Sequence, residues 1–318
     1  MPIGNTGAVS PVDNLSAPNA STLAPKRVFM GEVLTAFNNR TLAEKLVHVK
    51  TLTSGVSGRF PVLGTLKASD VKSHTPGAEI DLNTIEANER VITINGVEYT
   101  SILEDGYESK ILDFNAMPQY TQALGYALAD KLDVTLFALL YTACTDATKS
   151  LGIAGQPDGS WVYNTDILAG TTARLRGEAH VTAILEASAT MKKNNVPGDK
   201  VYITSVDRFI EIAQDDRILN KFYNKSGENG GIDSFGDMLK IGDIKVMWSN
   251  NLTLLNDFEG YLFTSEAIGL VKFISVITEV TYQETRFATL ATARYAYGAD
   301  ILNPGCVVGI RSNNDAIV

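Results

Sequence analysis

The residues best suited to metal binding are few and scattered along the 318-residue chain. The three histidines, His48, His74 and His180, have no cysteine or carboxylate pair at metal-ligand spacing beside them. His180 follows Glu178 near the start of a predicted helix, among polar residues, so we expect its ring to be exposed. The spacing predicts structural histidines rather than a metal site.

The thiols and the adjacent carboxylates are also poorly placed for chemistry. Cys144 ends an apolar run, which predicts a buried thiol. With Cys306 as the only other cysteine, a disulfide framework is excluded. The neighbours Asp215 and Asp216 are expected to lie on a solvated surface, because aspartates are mostly exposed.

Two glycine-rich stretches fall short of the catalytic loops that they resemble in composition. The sequence GVSG at Gly55–Gly58 is one residue too short for a nucleophile elbow. The sequence GENGG at Gly227–Gly231 lacks the lysine and the following helix of a phosphate-binding loop, which predicts a plain flexible loop. The sequence therefore predicts no catalytic residue, no metal ligand and no cofactor.

Composition and charge narrow the possible functions further. Hydrophobic residues make up 45% of the chain and charged residues 20%, which allows a sizeable core. The formal net charge of -9 argues against dedicated nucleic-acid binding, because such a chain repels phosphate backbones. The N-terminal residues lack the charge and apolar core of a signal peptide. The longest apolar run, VTLFALLYTAC, is about half of the roughly 20 residues that a membrane helix needs.

A long hairpin is the most unusual predicted element. Residues 1–25 are expected to form a flexible arm and Phe29–Val49 a short amphipathic helix. Val56–Glu89 is predicted to form an extended hairpin whose legs of about 16 residues each span roughly 50 Å. A compact body of this chain length has a similar diameter. The hairpin is polar and interrupted at Pro76 and Gly77, so we interpret it as an arm that lies on another subunit. A disordered surface loop is the alternative.

The rest of the chain mixes helices and strands. VITINGVEYTSI predicts a strand with a turn or bulge at Asn95-Gly96. Long helices are predicted at Pro118–Thr145 and Thr172–Asn195. An α/β module of several strands and one short helix follows Gly198, and the last residues are ambiguous between strand and helix.

Three stretches in order resemble one family. HTPGAEI, ERVITINGVEYTSILEDGYES and QYTQALGYALADKLDVTLFALL resemble the major capsid proteins of short-tailed bacteriophages of the T-seven-like podovirus kind, and the match is strongest over residues 57–145. The resemblance implies an α+β fold of the Hong Kong 97 type. Its implied parts are an N-terminal arm at 1–55, an extended loop at 56–89, a peripheral domain at 90–197 with a spine helix at 118–145, an axial domain at 198–275, and a return to the peripheral domain at 276–318.

The resemblance also implies which residues contact other subunits. The extended loop would clasp a neighbour through Gly64, Lys67, Asp70, Lys72, His74, Pro76, Gly77 and Glu79. The axial-domain loop would contain Gly227, Gly230 and Gly231. Lysine–asparagine cross-links occur in some members, but no assisting carboxylate is identifiable here, so we expect none.

The implied function is a structural subunit rather than an enzyme. It would form hexameric and pentameric capsomers of an icosahedral head in the virion, assembled in the host cytoplasm and enclosing double-stranded DNA without sequence-specific binding. A separate scaffolding protein is expected, because only about 55 residues precede the loop. A portal protein is a further partner, and no membrane is involved.

Three other functions stay open on sequence alone. An encapsulin-type compartment uses the same fold around protein cargo. An α/β enzyme could use the loop at Gly227–Gly231 to bind a nucleotide. An adhesin or decoration protein is disfavoured, because the chain has no repetitive all-β pattern.

Overall fold

A computed structural model describes most of the chain. It covers residues 32–38, 40–63, 70–74, 76–77, 79–80, 82–83, 87–94, 96–106, 117–146, 158–215, 238–252, 254 and 257–313. The predicted arm at residues 1–25 lies outside the described residues. So do five of the candidate contact residues, Gly64, Lys67, Gly227, Gly230 and Gly231.

The described elements combine helices with runs of successive strands in an α+β arrangement. The helices are α1 (residues 32–38), α2 (Met117–Thr145), α3 (Asp166–Ala169), α4 (Ala173–Lys193) and α5 (Val206–Ala213). The strands are β1 (His48–Thr51), β2 (Ser57–Leu63), β3 (Ala87–Thr93), β4 (Glu98–Asp105), β5 (Ser160–Tyr163), β6 (Lys200–Thr204), β7 (Met238–Ile241), β8 (Ile244–Trp248), β9 (Phe258–Phe263), β10 (Ile268–Gln283), β11 (Ala288–Ile301) and β12 (Val307–Arg311).

The chain divides into two compact units. Unit 1 comprises Met1–Arg40, Val97–Ala129 and Ser275–Tyr295, and unit 2 comprises Thr41–Gly96, Asp130–Ile274 and Ala296–Val318. In unit 1 the strands stand in the order β10-β11-β4, and β4 pairs antiparallel with β11 from Glu98↔Tyr295 to Asp105↔Ala288. Val33, Ala36 and Phe37 of helix α1 are buried, and their spacing places them on one face of the helix. The Phe37 ring meets the Tyr295 ring edge-on at 5.5 Å.

Unit 2 is built around a six-stranded mixed sheet. Its strand order is β5-β12-β9-β6-β8-β7. Every residue of β6, β9 and β12 is buried, and most of these residues are apolar, as expected for strands that are covered on both faces. Strand β9 runs antiparallel to both of its neighbours, whereas β6 is parallel to β8 and β12 to β5. Apart from this sheet, β1 pairs parallel with the beginning of β10.

Helices α4 and α5 pack against this sheet and complete its core. Thr172 caps α4, since its hydroxyl accepts a hydrogen bond from the Leu175 N–H at 3.3 Å. The positive charges of Lys192 and Lys193 in the last turn interact favourably with the negative end of the helix dipole. The core draws on α3, α4, α5 and the sheet, with Ile167, Ile184, Met191, Tyr202, Phe209, Ile212, Val246, Leu262 and Ile310 among its buried residues.

The two long predicted helices are confirmed, but three local predictions change. The helix predicted to reach Val49 is wrong at its end, because residues 43–45 form a 3-10 turn and His48–Thr51 pairs with β10 as a strand. The predicted strand VITINGVEYTSI is two strands, and β3 and β4 have different partners. The ambiguous last residues form β11 and β12, because pairing within sheets decides what local propensity leaves open.

Gly177 lets α4 approach α5 closely, and replacing it tests that packing. A Cβ at this position would lie 2.0 Å from the Glu211 carbonyl oxygen. Alanine normally stabilises a helix by about 1 kcal/mol relative to glycine. Here we expect Gly177→Ala to destabilise the chain by about 2 kcal/mol or more, because the helices must move apart. Urea unfolding measures this change. Thr182→Ala, on the exposed face of the same helix, is the control, and a stabilised Gly177→Ala variant would contradict the packing.

Candidate functional site

The extended loop begins from a regular antiparallel base. Strands β2 and β3 pair over seven positions, from Ser57↔Thr93 to Leu63↔Ala87. At about 3.3 Å per residue this base is roughly 20 Å long. The predicted hairpin therefore starts as a ladder of backbone hydrogen bonds, which fixes the direction in which the loop leaves unit 2.

A small apolar cluster anchors the base of the loop. Phe60 and Ile92, one from each strand, are buried against Val271 and Leu302. Polar contacts add to this anchor. The Lys50 ammonium donates to the Arg59 carbonyl at 2.8 Å, and the Arg90 side chain donates to the Ile301 carbonyl at 3.0 Å. These contacts hold the base on unit 2 itself.

The candidate contact residues that the structure describes lie beyond this base. Lys72, His74, Pro76, Gly77 and Glu79 are exposed, and Asp70 is half-buried. The two legs touch where the Asn83 amide donates to the Asp70 carbonyl. Pro76 and Gly77 form a turn, and Gly77 has a φ of 86°, which glycine adopts without strain. Gly64 and Lys67 lie outside the described residues.

Sequence reasoning missed three exposed apolar side chains of the loop. Val71, Ile80 and Leu82 are 82%, 72% and 88% exposed. Full burial of such a side chain stabilises a protein by about 1.5–3 kcal/mol. Because these three side chains are exposed, their own chain gains little of this stabilisation. The spacing of two between Ile80 and Leu82 was a usable signal, since in extended chain such residues share a face.

A buried carboxylate on helix α2 holds the segment that leads into β1. The two carboxylate oxygens of Asp133 accept hydrogen bonds from the N–H groups of Leu42 and Ala43, each at 3.1 Å. Burial raises the pKa of Asp133 to about 6, against the lowering effect of these two donors. The carboxylate of Asp130, three residues earlier on the helix, raises it further. Asp130 accepts a hydrogen bond from the Asn251 amide at 2.8 Å.

The second buried cluster surrounds His180, which is fully buried rather than exposed as predicted. Glu211 accepts from Arg176 at 2.7 Å and from Arg208 at 3.0 Å, and Arg208 also pairs with Glu259 at 2.6 Å. Burial lowers the pKa of His180 to about 4, and the charge of Arg208 acts in the same direction. Neither ring nitrogen has a hydrogen-bond partner. The exposure prediction is wrong because the polar neighbours of His180 pair across elements.

The described residues offer little to nucleophilic or metal chemistry. Burial raises the pKa of the Cys144 thiol to about 12 and that of Cys306 to about 11, which suppresses the reactive thiolates. Asp215 is buried, so the prediction of a solvated surface is wrong there, while Asp216 lies outside the described residues. Within the described part of the chain, no cluster of three or more histidine, cysteine or acidic side chains could hold a metal ion. No helix described here has the length and apolar character needed to cross a membrane.

Comparison with known sequences identifies relatives over more than half of the chain. The family model described as "Gp10A-like: Major capsid protein" matches residues 59–257. The major capsid protein of Escherichia phage T7 is 30% identical over 191 residues, which cover 58% of this chain and 54% of that protein. The chain thus matches about half of the length of this relative.

Comparison with solved structures confirms the α+β fold of the Hong Kong 97 type. The capsid of the cyanophage P-SCSP1u has a TM-score of 0.70 at 22% identity, covering 86% of this chain and 89% of that one. The virus-like particle from Pyrococcus furiosus has a TM-score of 0.56 at 12% identity, covering 90% and 99%. At these identities the likeness concerns the fold alone.

Replacing Asp133 by asparagine should remove one component of the dependence of stability on pH. The native pKa of about 6 lies above the unfolded value of 3.8, so the native state holds a proton that the unfolded chain releases. This contribution to stability is present below pH 3.8 and is lost as the pH rises through 6. Relative to Asp133→Asn, the wild type should lose about 2 kcal/mol between pH 4.5 and pH 7.5. Urea unfolding across this range measures the difference. Asp158→Asn, at an exposed carboxylate, is the control. If the difference in unfolding free energy between the wild type and Asp133→Asn does not change with pH, the raised pKa of Asp133 is contradicted.

Replacing His180 should have the opposite effect. The native pKa of about 4 lies below the unfolded value of 6.5, so stability present above pH 6.5 is lost as the pH falls through 4. The variant His180→Leu removes this loss. Its advantage over the wild type should therefore grow by about 2–3 kcal/mol from pH 7.5 to pH 4.5. The same urea titrations test this, with His74→Leu at an exposed position as the control. If His180→Leu loses as much stability in acid as the wild type does, this loss does not come from His180.

Proposed function

Because the chain belongs to the Gp10A-like major capsid protein family, we propose that it is the structural subunit of an icosahedral phage head. In this proposal it assembles into hexamers and pentamers that together enclose double-stranded DNA. It acts through contacts between copies rather than through catalysis. The proposal extends to the whole protein what the family match supports over residues 59–257.

The three exposed apolar side chains of the loop are the observation that carries the proposal. Val71, Ile80 and Leu82 lie on a segment whose base is held firmly on unit 2. A soluble monomer gains nothing from such a loop, whereas a neighbouring copy can bury all three side chains. Each contact is modest, but closed symmetry repeats it around every capsomer, so the contributions add up.

The proposal assigns roles to the parts of the chain. Residues 56–89 act as the clasp on a neighbour, with Lys72, His74, Pro76, Gly77 and Glu79 at its exposed end. Residues 90–197 and 276–318 form the peripheral domain, and residues 198–275 form the axial domain around the capsomer centre. Assembly takes place in the host cytoplasm with a separate scaffolding protein and a portal protein. The packaged DNA is enclosed without sequence-specific contacts.

A phage head is a better interpretation than a compartment for protein cargo. The particle from Pyrococcus furiosus supports only a shared fold, at 12% identity. The T7 major capsid protein is 30% identical over its matched region, so the sequence likeness favours the phage assignment. The contents of purified shells discriminate the two, since one holds nucleic acid and the other a protein.

Particle mass is the direct test of this function. The protein is expressed with and without a scaffolding protein, and light scattering and negative-stain microscopy report its assembly. Closed shells or capsomer rings of megadalton mass are expected. A stable monomer of 34.3 kDa under both conditions would overturn the proposal and return the enzyme and binding-module functions to consideration.

A triple substitution tests the three exposed apolar side chains of the loop. In Val71→Ser/Ile80→Ser/Leu82→Ser we expect the subunit to unfold at the wild-type temperature, because these side chains contact solvent in the free chain. Each inter-subunit loop contact should weaken by about 3–5 kcal/mol, so shells should dissociate at lower temperature. Heating followed by light scattering measures shells, and calorimetry measures subunits.

A matched variant separates apolar character from side-chain identity. Val71→Ile/Ile80→Val/Leu82→Met keeps apolar surface at all three positions and should assemble into heat-resistant shells. If serine shells withstand heating as well as these shells do, the loop is not a clasp. The particle-mass test can still succeed in that case, so the two results are independent.

A further inference from the structure

One end of the unit 2 sheet carries a concentration of lysines that the proposed function does not use. The segments 190–200 and 239–248 meet there, because β6 pairs with β8 from Lys200↔Ile244 onward. Together they contain five lysines against two aspartates, Asp199 and Asp243. We call the five residues the lysine cluster: Lys192, Lys193, Lys200, Lys240 and Lys245. Lys200 is itself buried, and the other four reach the surface.

The two aspartates neutralise only part of this cluster. The carboxylate of Asp243 lies 3.2 Å from the Lys192 ammonium and 3.4 Å from the Lys200 ammonium. Asp199 lies 3.2 Å from the Lys245 ammonium. Glu266 belongs to the turn that follows Thr264, which lies beside Gly198. With this residue counted, two positive charges remain in excess, in a chain whose net charge is -9.

Two of the lysines stand directly opposite each other on neighbouring strands. Lys240 pairs with Lys245 in the antiparallel register of β7 and β8. Like charges in that position destabilise a sheet. No described carboxylate pairs with Lys240, which is exposed. Because Lys245 already pairs with Asp199, Lys240 is the member of this pair whose charge can meet an anion from outside the chain.

The surroundings of the cluster favour a phosphate backbone over a protein partner. None of the exposed large hydrophobic side chains of the described chain belongs to residues 190–200 or 239–248. Protein interfaces depend on aromatic or apolar anchors at their centre, and this surface has none. The cluster also contains lysines and no arginine, and lysine acts as a mobile point charge rather than a planar fork. Such a surface suits a regular row of phosphates read without regard to sequence.

We infer that the lysine cluster is the surface through which each subunit contacts the phosphate backbone of the enclosed duplex DNA. The inference rests on the proposed function, since it requires that the subunit surrounds DNA. A few lysines per subunit give weak binding to a single copy. Repetition around the shell multiplies this attraction, while the overall negative charge of the chain keeps the DNA from adhering elsewhere.

The salt dependence of DNA binding tests the inference. A duplex of 20 base pairs and mixed sequence is added to the full-length protein as unassembled subunits or capsomers, and fluorescence anisotropy is recorded from 25 to 200 mM salt. In Lys240→Ala/Lys245→Ala we expect the slope of log K against log salt to fall by about 0.9 for each lost phosphate contact. The affinity at low salt should fall about tenfold or more.

Two matched variants control for charge and for fold. Lys240→Arg/Lys245→Arg keeps both charges and should restore the slope. Lys45→Ala/Lys131→Ala removes two exposed lysines from other elements and should leave it unchanged. If all of these variants bind DNA alike, or if the wild type binds none, the inference is refuted. Shell formation by the alanine variants is scored separately, so the proposed function can stand when this inference fails.

Two further measurements exclude the remaining explanations. A polyglutamate peptide that displaces the duplex at equal charge concentration would point to an acidic protein segment and overturn the inference. DNA added to closed empty shells should not bind, because the enclosed surface is out of reach. Binding to closed shells that is lost in Lys240→Ala/Lys245→Ala would place the cluster on the outside and equally overturn the assignment to enclosed DNA.

Discussion

The extended loop depends on one interaction, the burial of Phe60 and Ile92 at its base, whereas three apolar side chains beyond that base are exposed. Phe60 and Ile92 fix the base of the loop against Val271 and Leu302. Beyond this base, the side chains of Val71, Ile80 and Leu82 are exposed rather than packed in the core of their own unit. In the proposed assembly, a second copy of the chain buries these three side chains.

Two buried ionisable groups in unit 2, Asp133 and His180, have opposite effects on stability as the pH changes. Asp133 favours the native state at low pH, because its buried carboxyl prefers to hold a proton. His180 favours the native state at high pH, because its buried ring prefers to be neutral. Both effects fall in the interval between about pH 4 and 6.5, where they oppose each other. The intact subunit should therefore be less sensitive to moderate acid than either residue alone would make it.

Local pattern was sufficient for some elements and insufficient for others. Helices α2 and α4 were predictable, because their apolar spacing, the cap at Thr172 and the terminal lysines all agree. The hairpin was predictable from its interrupting glycines and proline, and its position from the resemblance to a known family. Strand β1 was missed, because His48–Thr51 becomes a strand only through its pairing with Gly269–Lys272, far along the chain. The burial of His180 was missed for a related reason, since Glu211 and Glu259 come from other elements.

The position of strand β12 has a consequence for biosynthesis. It is the last strand of the described chain, yet it lies inside the sheet between β5 and β9, and Ser160 pairs with Val308. At usual rates of translation the ribosome needs roughly 10–30 s to pass from one of these residues to the other. During this interval β5 lacks its partner strand, and β9 has an open edge from its own synthesis until β12 follows. The sheet closes only after Arg311 has emerged, so the core of unit 2 is completed only when nearly all of the described residues have been made.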